Sequence, residues 1–233
     1  MNILVFQHVA SEHPGSLREV MRERGCAMRA VELDEGEAIP PLEDFNALLV
    51  MGGPMDVWET DKHPWLVEEM AAIRQWVEGG RPYLGICLGH QLLAQALGGE
   101  VGRMDKPEVG MSRVQVADDP IFAGLPALWP CMQWHGAEVK RLPEGAVALA
   151  TSPGCAIQAQ RWGRAAYGLQ FHIEPTRDTT AEWSRMPSYK KALERARGPG
   201  GFAAMAAEVQ AEIAGLNGAA RVIFSNFLDI ASG

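Results

Sequence analysis

The first hundred residues alternate between apolar runs and stretches whose apolar positions recur every three or four residues. Residues 2–9 form an apolar run that predicts a first core strand. Ser16 with Glu19 has the form of a capping box before Val20 and Met21, and Gly25 stands where that helix would stop. Residues 27–33 can form a second strand, and residues 45–51 are another apolar run, ended abruptly by Gly52-Gly53-Pro54. Pro64 opens a helix in which Leu66, Met70, Ile73 and Val77 recur at spacings of four, three and four, closed by Gly79-Gly80. Residues 82–86 read as a short buried strand, and residues 88–97 as a helix ended by Gly98-Gly99. This alternation predicts an α/β fold, a largely parallel sheet with helices on both faces.

From about Val109 the rhythm changes. Short strand candidates at 112–116, 137–140, 146–150, 156–160 and 165–171 alternate with Pro- and Gly-bearing turns, the pattern of antiparallel hairpins. After Pro175 the chain turns helical, with a second capping-box pattern at Thr179 and Glu182. Met205, Val209, Ile213 and Leu216 form one apolar stripe, Ile223, Phe227 and Ile230 another, and residues 198–201 separate two helical pieces. The expected organisation is a core domain over 1–178 and a helical segment over 179–233, packed on or beside it.

Composition narrows the class of function. Of 233 residues, 47% are hydrophobic, enough for a substantial core. No apolar run approaches the roughly 18 residues of a membrane span, and the start reads as a strand and not as a signal peptide. Lysine plus arginine number 21 against 29 acidic residues, a net charge of -8. That balance argues against nucleic acid as a partner, since sequence-independent affinity comes from basic patches. Cys26, Cys87, Cys131 and Cys155 form no CxxC pair and no zinc-ligand spacing, so neither a metal nor another cofactor is expected, and the setting reads as cytoplasmic.

The sharpest chemical feature is Gly85-Ile86-Cys87-Leu88-Gly89, where a predicted strand gives way to a helix. An isolated cysteine is more often core than nucleophile. Here, small residues two positions either side permit the tight turn of a nucleophile elbow. The helix N-terminus favours a thiolate, and the Leu88 N–H is free for an oxyanion. Gln170-Phe171-His172-Ile173-Glu174 supplies a base and an orienting carboxylate two residues apart, on one face of a strand end. The turn after Met51 lies on the same rim of a parallel sheet, making the Gly53 N–H a second candidate oxyanion donor. His90 reads as a packing or capping residue, and His8, His13 and His63 as surface or loop residues. Trp58, Trp65 and Trp76 read as core and rim packing.

In this order, Gly-Gly-Pro, Gly-Ile-Cys-Leu-Gly-His-Gln, Gln-Trp-His-Gly and Gln-Phe-His-Ile-Glu resemble the class I glutamine amidotransferases over about residues 45–175. The resemblance implies a three-layer α/β/α sandwich with a mainly parallel, flavodoxin-like sheet. It implies Cys87, His172 and Glu174 as a catalytic triad, Gly53 and Leu88 as the oxyanion hole, and Gly52, Gln91, Trp134 and His135 as substrate contacts. Ile173 stands where the family often has proline, Trp134 where a smaller residue is common, and Asp56 in place of a common serine. These departures bear on the choice of substrate and leave the triad whole. Three roles stay open: a glutaminase subunit serving a separate synthetase, a stand-alone hydrolase or transferase for γ-glutamyl compounds, and a silent binding protein on the same fold.

Overall fold

The apolar runs of the first half become β1 (Asn2–Gln7), β2 (Ala27–Glu32), β3 (Ala47–Val50) and β4 (Tyr83–Ile86). A computed structural model describes residues 1–233, the side chains of Ser188, Arg195 and Ala196 excepted. The helices between these strands are α1 (Leu17–Glu23), α2 (Trp65–Glu78) and α3 (Leu88–Ala96). There follow β5 (Glu100–Val116), β6 (Leu128–Arg141), β7 (Ala146–Thr151), β8 (Ala159–Trp162) and β9 (Ala166–Leu169). The chain ends in α4 (Thr179–Trp183), α5 (Pro187–Arg197) and α6 (Gly201–Ser232).

All nine strands join one sheet in the order β2-β1-β3-β4-β9-β8-β7-β5-β6. The expectation of a mainly parallel sheet needs correction, because the sheet is mixed. The four pairings from β2 to β9 are parallel, and the four from β9 to β6 are antiparallel. The reason is connection length: β7, β8 and β9 follow one another through short turns that leave no room for a helical crossover, so they can pair only as antiparallel neighbours.

Alternation along the central strands separates the two faces. Ile3 and Val5 pack with Leu17, Val20 and Met21 of α1 and with Ile223, Phe224 and Phe227 of α6. Leu4 and Phe6 face the other way, against Leu66, Ile73 and Trp76 of α2 and Leu92 and Leu93 of α3. A third cluster joins Met132 and Trp134 of β6 to Trp183, Tyr189, Leu193, Met205, Val209, Ile213 and Leu216. Both predicted C-terminal stripes therefore lie on one helix, α6, and are covered. Each fully buried side chain of this size contributes about 1.5–3 kcal/mol. The stripe from Met205 to Leu216 thus suffices to anchor the segment, although α5 is largely polar. Among the described residues no helix is long and apolar enough to cross a membrane.

Two expected caps do not form. Ser16 precedes α1 but makes no side-chain capping bond, and its buried hydroxyl has no partner. Thr179 lies inside α4, where its hydroxyl accepts from the Thr176 N–H at 2.8 Å and so closes the preceding turn.

Candidate active site

β1, β3, β4 and β9 run parallel side by side, so the residues that follow them emerge on one rim. His8 leaves β1, Met51 to Gly53 leave β3, Cys87 leaves β4, and residues 170–174 leave β9. This is the edge on which open α/β sheets hold ligands.

Cys87 links β4 to α3 with φ 53° and ψ -101°, the only non-glycine residue with positive φ among those described. Such a conformation costs on the order of 1–3 kcal/mol and persists only where neighbours enforce it. Here the Cys87 N–H donates to Leu169 O at 2.8 Å and the Gly89 N–H to Met51 O at 3.2 Å, tying the elbow to the strands on either side. The flanking glycines are steric requirements. A Cβ at Gly85 would lie 2.4 Å from the Gly89 carbonyl carbon, and one at Gly89 would lie 2.3 Å from Val50 O. Neither the Leu88 nor the Gly53 N–H meets a protein acceptor among the described residues.

β9 is shorter than expected, so His172 lies beyond it on extended chain, where its N–H donates to Met132 O at 2.9 Å. Nδ1 of His172 is 2.6 Å from Glu174 Oε1, and the other Glu174 oxygen accepts from the Ile173 N–H at 2.9 Å. Burial alone would lower the His172 pKa. The charges of Glu174 and of Cys87, which also acts as a hydrogen-bond partner of the ring, outweigh it and hold His172 well above the ordinary histidine value. His90 shows the opposite outcome. Burial takes it down to about 3, so it stays neutral, with Gln160 Nε2 donating to its carbonyl at 2.7 Å. Burial likewise pushes Cys131 up, and Cys155 up to about 12, leaving both thiols protonated.

The cavity beside Cys87 has a volume of about 170 Å³. Gly53, Leu88, Gln91, Trp134 and His135 line it, together with Asp56 and, from α5, Tyr189 and Ala192. The Gln91 amide nitrogen is fixed by Ala137 O and Gln170 Oε1, both at 3.1 Å. Trp134 presents its carbonyl 3.8 Å from the Cys87 sulfur, while its ring packs against Trp183, Tyr189 and Phe202. His135 Nδ1 is 3.0 Å from Ala137 O. Gly52 is set back from the wall, where a Cβ would meet Glu12 Oε2 at 2.6 Å and His172 Cε1 at 3.3 Å. Trp76 is buried, Trp58 is exposed, and Trp65 stacks on His8.

Sequence reasoning missed two polar residues. His8 is not on the surface: it is fully buried, between Gly52 O and Glu69 Oε1 at 2.8 Å each. Glu12 is buried beside His172 and Glu174, accepts a hydrogen bond from the Tyr189 hydroxyl, and leaves Oε2 unpaired. Burial, with the Glu174 charge added, raises Glu12 to about 7 even though His172 opposes the shift. Glu12, His172 and Glu174 place potential ligand atoms within 4.8 Å of one another, and His172 Nδ1 is already engaged by Glu174. The available signal was position: both residues lie just past the carboxyl end of a buried strand.

Comparison with known proteins bears on this geometry. The family model described as glutamine amidotransferase class-I matches residues 13–183. One of the subunits of the glutamine-hydrolyzing GMP synthase of Sulfolobus acidocaldarius is 35% identical over 150 residues, which cover 63% of this chain and 77% of that protein. The glutamine amidotransferase-like protein YfeJ of Salmonella typhimurium is 30% identical over 184 residues, covering 76% and 77%. The GMP synthase of Aeropyrum pernix is 42% identical over 148 residues, but the chain spans only 27% of its length. Among solved structures, a glutamine amidotransferase from Thermotoga maritima superposes with a TM-score of 0.89 at 30% identity, covering 98% of both chains.

Proposed function

The chain belongs to the class-I glutamine amidotransferase family, and we propose from that premise that Cys87 hydrolyses the γ-amide of glutamine or a γ-glutamyl compound through a thioester. The observation that carries the reading is the strained Cys87 elbow at the wall of the cavity, with His172, hydrogen-bonded to Glu174, beside its sulfur. The Cys87 sulfur adds to the γ-carbonyl carbon, and the π electron pair moves onto oxygen. The N–H groups of Gly53 and Leu88, which meet no acceptor among the described residues, receive that charge. His172, held cationic by Glu174, gives its proton to the leaving nitrogen as the C–N bond breaks, releasing ammonia from glutamine or an amine from a γ-glutamyl peptide and leaving a γ-glutamyl thioester. His172 then takes a proton from water as its oxygen attacks, and collapse releases glutamate and the Cys87 thiolate. Gln91, Trp134 and His135 shape the substrate pocket, while Gly52, set back from its wall, acts only through the peptide it shares with Gly53. Asp56, half-buried on its wall, offers a counter-charge to the substrate α-ammonium group.

One observation favours action by the chain alone over dependence on a synthetase subunit. Tyr189 and Ala192 of α5 line the cavity, so the C-terminal helical segment supplies part of the pocket itself. The test is steady-state turnover by the purified protein on glutamine and a panel of γ-glutamyl peptides and amides, with glutamate and the released ammonia or amine both measured. Turnover that vanishes in Cys87→Ser supports the reading. Turnover retained in Cys87→Ser contradicts it, and inactivity rescued by a cell-extract fraction would favour the subunit role.

A further inference from the structure

His8 is a fully buried histidine with both ring nitrogens engaged. Nδ1 lies 2.8 Å from Gly52 O, and Nε2 lies 2.8 Å from Oε1 of Glu69 on α2, whose side chain is also fully buried. The ring stacks on Trp65 with centroids 5.5 Å apart and planes 12° apart, a contact that with the two hydrogen bonds restrains it in this position. Burying such a pair is a poor route to stability, since desolvation offsets most of the attraction. What the pair holds is more informative. Gly52 O belongs to the same peptide group as the Gly53 N–H. A trans peptide is planar, with its C=O and N–H pointing opposite ways. Fixing Gly52 O toward the His8 ring therefore turns the Gly53 N–H away from that ring; Gly53 itself lines the cavity, and a Cβ there would meet Met55 Sδ, Leu88 Cδ2 and His8 Cβ. Two successive glycines impose little torsional preference of their own, so the orientation must be enforced from outside. Hydrogen bonding at the carbonyl also polarises the peptide and strengthens its N–H as a donor.

We propose that His8, backed by Glu69, is a positioning pair that sets the Gly52–Gly53 peptide and thereby assembles half of the oxyanion hole. The proposal rests on the functional reading above, in which Gly53 and Leu88 receive the oxyanion. His8 touches no reacting atom and acts through the backbone. Its effect is confined to steps in which negative charge develops on the carbonyl oxygen, and the thiolate itself is untouched.

That separation gives the test two probes. Iodoacetamide alkylates a thiolate by displacement and needs no oxyanion hole. The γ-semialdehyde of N,N-dimethylglutamate, whose tertiary amine cannot condense with the aldehyde, adds the Cys87 sulfur to its carbonyl, and the resulting alkoxide does need one. In His8→Ala, the Cys87 alkylation rate should stay within about twofold of wild type. Affinity for the aldehyde and kcat should each fall on the order of 10²-fold, with KM little changed, the size expected for one lost oxyanion donor. His8→Gln, which retains a side-chain donor, should recover part of the loss. Glu69→Gln keeps the shape of the pair and removes its charge. It should show the same split at roughly tenfold, and it decides the matter if His8→Ala does not fold. Unchanged aldehyde affinity in Glu69→Gln and His8→Ala, or an equal fall in alkylation and aldehyde binding, overturns the proposal. Failure of the aldehyde to bind the wild-type protein at Cys87 would instead sink the functional reading, and this proposal with it.

Discussion

At the scale of single residues, two buried histidines on one rim have opposite fates, and their carboxylate neighbours decide which is useful. His172 is held cationic by Glu174, whereas burial keeps His90 neutral, with no carboxylate against it among the described residues. His172→Ala should therefore reduce kcat at least about 10²-fold, the usual worth of positioned proton transfer. Glu174→Gln should cost less, and the double variant little more than His172→Ala, because the residues act as a unit. Steady-state rates for the three variants check this; wild-type rates in His172→Ala would remove its role. Glu12 gives a pH prediction. The folded protein keeps its proton up to about pH 7, whereas an ordinary glutamate releases it near 4.5. Between those values the folded state binds more protons than the unfolded state, so wild-type stability falls as pH rises through that window, by at most about 3 kcal/mol. Glu12→Gln removes this loss and retains an acceptor for Tyr189. Its Tm relative to wild type should rise between pH 5 and pH 8, and a difference that does not vary with pH would contradict the assignment. Cys87, His172 and Glu174 were legible because local spacing marks them. His8 and Glu12 were not, since a lone polar residue after a strand looks like surface until register places it under another strand's turn.

Among the elements, the elbow and its two flanking strands form the rigid part of the site. Gly89→Ala would drive a Cβ to 2.3 Å from Val50 O, which is backbone and cannot yield cheaply. We expect a loss of about 1–3 kcal/mol in denaturant unfolding, the usual cost of overpacking, together with a fall in turnover larger than any change in KM. Full activity with unchanged stability would show the elbow to be looser than this geometry. The strands and helices of the first half were legible because β1, β3 and β4 are buried on both faces and α2 is amphipathic. β5 and β6 were glimpsed only at their ends. Residues 100–111 of β5 are mostly exposed or half-buried, so no alternation marks them, and the strand shifts register between Arg103 and Glu108.

Across the whole molecule, the C-terminal helices are part of the site's construction. α4, α5 and the first half of α6 share a core with Met132 and Trp134, and α5 reaches the cavity through Tyr189. Leu193→Ala, in the middle of that core, should destabilise by about 2–5 kcal/mol and raise KM through a loosened α5, without slowing alkylation of Cys87. Thermal unfolding and labelling rates check the two halves separately. The sequence showed apolar stripes needing cover but could not say what covers them, because the partner surface on β6 comes from residues some seventy positions earlier. Covalent catalysis at Cys87 by this chain alone is the proposal on which the other predictions depend. The most direct measurement mixes the purified protein with a turned-over γ-glutamyl substrate, quenches in acid within the first turnovers, and maps the adduct by peptide mass spectrometry. A γ-glutamyl mass increment on the Cys87 peptide, absent in Cys87→Ser and accumulating when the substrate is in excess, is the predicted result. Rapid turnover with the increment on Cys26, Cys131 or Cys155, or continued turnover by Cys87→Ser, would contradict it.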